Sequence, residues 1–257
     1  MRRVMILLHL SDFHIGTPKG GRERLGAVLD SLVALHGPGS VWPAALAVAT
    51  GDIGHDDYEN TYPWLRDRFA ALPFPVVPLI GNHDDRDAFR RHFGGAGFVQ
   101  EARDTPAGRL LTLDTHTPGE AGGTLCRARL DWLARELGKS EGPVILALHH
   151  PPMRVGIPGF DAIGLRDAPA LLEVVRPHRG RIRAMLHGHV HRDIAGTWHG
   201  IPSFGVRGTA SSFALDFRPG QRLRPTGEAP GYAVLRLEGE EVLRHGFAVP
   251  ESGPGAD

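Results

Sequence analysis

The chain of 257 residues predicts an α/β fold with parallel strands at its centre, and three observations carry that prediction. Five short apolar runs have the length and content of buried parallel strands. Segments with apolar residues at helical spacing lie between the early runs. Short strands separated by turn residues then close the chain.

The first strand is Val4–Leu10, and residues 22–36 follow as a helix with Leu25, Val28, Leu29, Leu32 and Val33 on one face. The second strand covers 45–50. The second helix covers 59–72, where Tyr62, Trp64, Leu65 and Phe69 recur at helical intervals. Residues 76–80 make the third strand, completing the βαβ pattern of a parallel sheet. A short helix at 87–92 precedes strands at 98–102 and 109–114 with no helix between them. The helix at 125–137 places Leu130, Leu133, Ala134 and Leu137 together and feeds the strand Val144–Leu148. Residues 151–167 are rich in Gly and Pro, a loop long enough to be a lid or a binding wall. A helix at 167–175 leads to the strand at 182–186. Beyond residue 191, strands at 194–198, 203–206, 212–217, 232–237 and 242–248 read as antiparallel sheet, and 250–257 as a disordered tail.

Composition excludes more than it assigns. Lys+Arg and Asp+Glu are both 29, so the chain lacks the basic field that supplies non-specific nucleic-acid affinity. Cys126 is the only cysteine, which rules out an intrachain disulfide and a thiolate metal cluster. Met1-Arg2-Arg3 before an apolar run imitates a signal peptide, but no small-residue cleavage site follows, so the run reads as a buried strand. No segment approaches the ~20 apolar residues that span a bilayer. A soluble cytoplasmic protein is expected, with the apolar strands after residue 230 available for a homodimer.

Each of the five apolar runs ends in side chains able to hold a metal: Asp12-Phe13-His14, Gly51-Asp52, Gly81-Asn82-His83-Asp84, His149-His150 and Gly188-His189-Val190-His191. In α/β sheets the binding crevice lies outside the carboxyl ends of the strands, which brings these clusters to one edge. Dividing the chain would split them, so one domain over residues 1–249 is expected. On a strand, residues i and i+2 point the same way, pairing Asp12 with His14 and His189 with His191. Singly, each cluster is ordinary strand-end or turn chemistry. Their joint occurrence in order indicates a site. A mixed nitrogen and oxygen set suits Mn, Fe, Zn or Co, and two such ions ~3.5–4 Å apart would clamp a phosphoryl group.

The ordered set, with residues 75–86 (PVVPLIGNHDDR) and 161–166 (DAIGLR), resembles the calcineurin-like metallophosphoesterase superfamily over nearly the whole chain. Within it, the chain is similar to class III cyclic-nucleotide phosphodiesterases and bacterial glycerophosphodiesterases. The resemblance implies a four-layer α/β/β/α sandwich of two packed mixed sheets. It implies two transition metals, with Asp12, His14 and His191 on one, Asn82, His149 and His189 on the other, and Asp52 between them. It implies attack on a small phosphodiester by metal-bound hydroxide, His83 as the active-site acid, Asp84 as its support and His150 beside the ligands. Two rival readings are a DNA-repair-type metallonuclease, suggested by residues 8–16, and a metal-free protein-binding scaffold, which the complete ligand set disfavours.

Two positions depart from the pattern. Three residues after the bridging aspartate, where many relatives carry Asp or Asn, stands His55; it reads equally as a contact to substrate or His83 and as a loop residue. Where several relatives place a substrate-reaching histidine, this chain has Ala210-Ser211-Ser212. Substrate choice is therefore expected to rest on the 151–167 wall with Phe160, on His55, on Arg207 as an anion contact and on Ser211.

Overall fold

The computed structural model describes residues 4–17 and 21–250. Met1-Arg2-Arg3 and residues 251–257 of the expected tail lie outside them. The elements run β1 (Val4–Leu10), α1 (Gly21–His36), β2 (Leu46–Ala49), α2 (Tyr58–Ala70), β3 (Val76–Pro78), α3 (Arg86–Phe93), β4 (Ala102–Thr105) and β5 (Gly108–Leu113). They continue with α4 (Arg127–Gly138), β6 (Val144–Leu148), α5 (Pro158–Asp161), α6 (Ala168–Val175), a 3₁₀ segment at Arg176–Arg181 and β7 (Ile182–His187). The chain ends through β8 (Ile194–Trp198), β9 (Ile201–Gly205), β10 (Ser212–Phe213), β11 (Pro225–Thr226), β12 (Gly231–Glu238) and β13 (Glu241–Ala248).

The strands form two mixed sheets, ordered β13-β12-β1-β2-β3 and β4-β5-β6-β7-β9-β8, with β10 and β11 as a separate small hairpin. Alternation along each central strand explains why they stack. From β1, Met5 and Leu7 face inward with Val48 of β2 against Ile145, Ala147 and Leu186 of the other sheet. Ile6, Leu8 and Leu10 face outward onto Leu25, Val28 and Leu32 of α1 and Leu65 of α2. On the far side, Leu146 and Leu148 of β6 pack under Leu133 of α4 and Leu171 of α6. Both faces of each central strand are covered, so these strands read as unbroken apolar runs. The result is the α/β/β/α sandwich. Each fully buried leucine here contributes ~1.5–3 kcal/mol of burial energy.

The five ligand-bearing strands divide between the two sheets, β1, β2 and β3 in the first and β6 and β7 in the second, so the crevice opens between them. The structure corrects two sequence expectations. The strand expected at 98–102 lies at Ala102–Thr105, where Arg103 and Asp104 are exposed and leave no apolar signal. Phe98 instead lies under the guanidinium groups of Arg86 and Arg129. The late strands form no sheet of their own. β12 runs antiparallel between β1 and β13, β9 runs parallel beside β7, and the strand expected at 212–217 is only Ser212–Phe213. Among the described residues no helix is long and apolar enough to cross a membrane.

Candidate metal centre

Where β1, β2 and β7 end, the backbone turns through left-handed conformations that L-residues seldom adopt: Asp12 (φ 57°), His14 (45°), Asp52 (49°), His189 (69°) and His191 (55°). Each costs on the order of 1–2 kcal/mol. The pairings of Asp12 with His14 and His189 with His191 thus arise from strained loop backbone rather than from strand alternation. Interlocking bonds hold the strain: Asp12 N–H donates to Gly51 O (3.1 Å), His14 N–H to Asp52 O (2.9 Å) and Ala210 N–H to Asp12 O (3.0 Å).

The side chains gather into two groups around one carboxylate. Asp12, His14 and His191 form the first, with His14 Nε2 3.1 Å from His191 Nε2 and His191 Nε2 3.5 Å from Asp12 Oδ1. Asn82, His149 and His189 form the second, where Asn82 Oδ1 lies 3.2 Å from His149 Nε2 and 3.0 Å from His189 Nδ1. Asp52 stands between them, its Oδ2 3.6 Å from His14 Nε2 and 3.3 Å from His149 Nε2. Among the described residues, Asp12 Oδ2 and His189 Nε2 are buried without a hydrogen-bond partner. A buried carboxylate oxygen without a partner, on an aspartate whose ligand atom lies within 4.8 Å of those of His14 and His191, fits a metal site.

Neighbouring groups set the tautomers. His149 Nδ1–H donates to Thr50 O at 2.7 Å and His191 Nδ1–H to Ser211 O at 2.9 Å, which aims both Nε2 atoms at the cluster. Burial works to lower His149, but the Asp52 carboxylate outweighs it and raises it to about 9, so a metal at this Nε2 would have to displace a proton. Burial holds His14 and His189 well below their ordinary values, in the neutral form a metal requires. Burial works to raise Asp52, but nearby His149, His14 and His83 outweigh it and hold this carboxyl well below its ordinary range.

His83 is half-buried; its N–H donates to Asp52 Oδ1 at 2.8 Å and its ring stacks on His55 at 4.1 Å. Asp84 does not reach the cavity. Its carboxylate accepts from Ile53 N (3.2 Å), Gly54 N (2.8 Å), Gly81 N (2.8 Å) and Tyr62 OH (3.0 Å), tying the β3 turn to the β2 turn. Burial, with the Asp52 charge, raises Asp84 to about 7. His150 is engaged at both nitrogens, by Thr115 Oγ1 at 2.8 Å and Ala121 O at 3.1 Å.

A cavity of about 510 Å³ opens onto the cluster, lined among others by His55, His83, Phe160 and Ser211. Arg207 is not among its described lining residues. Its guanidinium turns away to Asp193 (3.0 Å) and Ala229 O (3.3 Å), which corrects its expected place at the substrate. Thr17, Phe213, Leu223 and Pro225 also line the cavity and escaped the sequence reading, whereas Ile163 falls within the expected 151–167 wall. Apolar residues in turn-rich stretches give no signal of their own.

Two stacked mixed sheets carry an imidazole and carboxylate cluster at their shared edge, a donor set of the kind that metal-dependent hydrolases use. Comparison with known proteins agrees: the family model "Calcineurin-like phosphoesterase" matches residues 5–193, and the chain belongs to that family. It is 34% identical over 219 residues to a probable cyclic nucleotide phosphodiesterase of Rhodopseudomonas palustris, covering 82% of this chain and 80% of that one. It is 30% identical to the 3',5'-cyclic adenosine monophosphate phosphodiesterase CpdA of Pseudomonas aeruginosa, covering 95% and 89%. The fold also matches a solved purple acid phosphatase of yellow lupin at 13% identity, with TM-score 0.59 over 97% of this chain and 52% of that one.

Proposed function

We propose that this chain hydrolyses small phosphodiesters at a two-metal centre, with Asp52 bridging a site of Asp12, His14 and His191 and a site of Asn82, His149 and His189. The observation that carries the reading is the position of Asp52, with one carboxylate oxygen near imidazoles of both groups. When bound, two transition ions supply Lewis acidity toward phosphoryl oxygens and lower the pKa of water. The protein's own part is orientation and proton delivery. Asp52 Oδ1 holds the His83 backbone so that its imidazole faces the cavity, where it protonates the departing alkoxide. Residues 1–249 act as one domain on this reading, because the two ligand groups draw on both sheets.

The absence of a histidine at Ser211, and Arg207 turning away, favour a permissive diesterase over a cyclic-nucleotide specialist. Protein reconstituted with Mn, Fe, Zn or Co is assayed side by side on bis(p-nitrophenyl) phosphate, monoesters and cyclic AMP, with a Ser211→His variant. The aryl diester is expected to react with much higher kcat/KM than cyclic AMP. Cyclic AMP hydrolysis as fast as that of the aryl diester overturns the preference; no ester hydrolysed in any metal overturns the function.

A further inference from the structure

The cavity has two unlike sides. On one, the imidazoles of His14, His55 and His83 crowd together, with His83 centred 4.9 Å from His14 and 4.1 Å from His55. On the other, two phenyl rings press edge-on against ligand imidazoles: Phe160 on His189 at 5.6 Å and Phe213 on His191 at 5.0 Å. These phenyls also meet each other edge to face at 5.3 Å. Ile163 and Leu223 extend the apolar side and pack with Ile157 and Val190 beneath it.

This apolar side is built, not incidental. Phe213 comes from β10 and Leu223 from the arm leading into β11, so the small hairpin folds over α5. The contact is close enough that a Cβ on Gly159 would lie 2.8 Å from Leu223 Cδ2. Ser211 Oγ lies 3.2 Å from His191 Nδ1, below the phenyls, and Arg207 is held by Asp193. A sugar or glycerol placed against the phenyls would bury hydroxyls without partners, at a cost of about 1–3 kcal/mol each.

Building on the proposed diesterase reading, we infer that Phe160, Ile163, Phe213 and Leu223 form a subsite for the ester group that stays on phosphorus, and that this group is an unsubstituted alkyl or aryl chain. The orientation follows from the two sides. The leaving oxygen must lie near His83 to receive a proton, which directs the retained group across the ligand cluster to the phenyls. On cleavage the phosphorus to leaving-oxygen bond breaks and a water oxygen takes its place. The departing oxygen leaves as the alcohol, and the apolar group remains esterified in the product monoester.

The test is a series of alkyl p-nitrophenyl phosphates from methyl to hexyl, assayed with the metal-reconstituted full chain, alongside the glyceryl ester. kcat/KM is expected to rise up to about fourfold per methylene, carried by KM, and the glyceryl ester to fall below the propyl one. Calorimetric titration with methyl alkylphosphonates, in which only the methoxy group can depart because the P–C bond does not hydrolyse, is expected to show the same gain in affinity. Phe213→Ser and Leu223→Ser should flatten both slopes while metal content stays at the wild-type level. Flat slopes in the wild type, with the aryl diester still hydrolysed, overturn the subsite and leave the diesterase reading standing. No hydrolysis of any ester at full metal content overturns both.

Discussion

His14 and His55 face each other through their Nδ1 atoms at 3.1 Å. Two bare lone pairs at that distance would repel, so one nitrogen carries the proton. If His55 accepts, the His14 proton is fixed at Nδ1 and its Nε2 points at His191 and Asp52. His55 then does for His14 what Thr50 O does for His149 and Ser211 O for His191. His55→Ala is expected to weaken metal retention against a competing chelator by ~10- to 100-fold, with His55→Asn recovering most of it. Retention equal to wild type in both variants would show that the contact orients nothing.

Asp52→Ala is expected to lower the bound metal from two ions to fewer than one per chain by elemental analysis. Its carboxylate joins the two ligand groups and also accepts the His83 N–H at 2.8 Å, so both functions go together. Two ions retained by the variant would remove Asp52 from the bridge.

His83→Ala is expected to keep both ions and lose ~10²- to 10⁴-fold in kcat, the range of general acid catalysis. Esters with good leaving groups should lose least, since their departing oxygen needs no proton. An equal loss across leaving groups would leave His83 only the task of positioning phosphate.

His36 is buried away from the centre, with Nδ1 3.2 Å from Trp42 O and Nε2 3.5 Å from Tyr232 OH. Burial lowers its pKa below the ordinary 6.5. The unfolded chain therefore takes up this proton at a higher pH than the native one. The stability from a neutral His36 is fully present above pH 6.5 and is lost as pH falls through the lowered value. The urea midpoint of wild type should drop more steeply between pH 7 and 5 than that of His36→Gln; parallel curves would exclude His36 as a cause.

Gly81→Ala is expected to fold yet fail to hold metal. A Cβ there would sit 2.2 Å from Asp52 Oδ1 and 2.6 Å from His149 Nε2, inside the space of the ligands. Wild-type metal content in this variant would mean that the turn can shift without disturbing them.

The legible parts of this chain were those whose chemistry is local. Central strands such as Val144–Leu148, buried on both faces, announce themselves as apolar runs, and His149, which directly follows one, and Asp52, just beyond the end of another, are visible for that reason. What stayed hidden depends on distant partners. Nothing near Val4–Leu10 signals that Gly231–Glu238 will lie beside it, nor that the ligand strands divide between two sheets. Arg207 looked like an anion contact because its partner Asp193 lies 14 residues away in sequence and the pairing appears only on folding. His55 announced itself only as a departure from a pattern; its contact with His14, 41 residues away, required the fold.

The loops of the centre belong to different layers, Asp12, His14, Asp52 and Asn82 following strands of one sheet and His149, His189 and His191 strands of the other. On the proposed two-metal reading, ions held by both sets would act as rivets through the sandwich. Parting of the layers at this edge and escape of the ions then become the same event. The rate at which a chelator strips the protein would be a clock for how often the sandwich opens, and any distant change that loosens Leu7 or Ile145 in the interlayer core would be read out as faster metal loss.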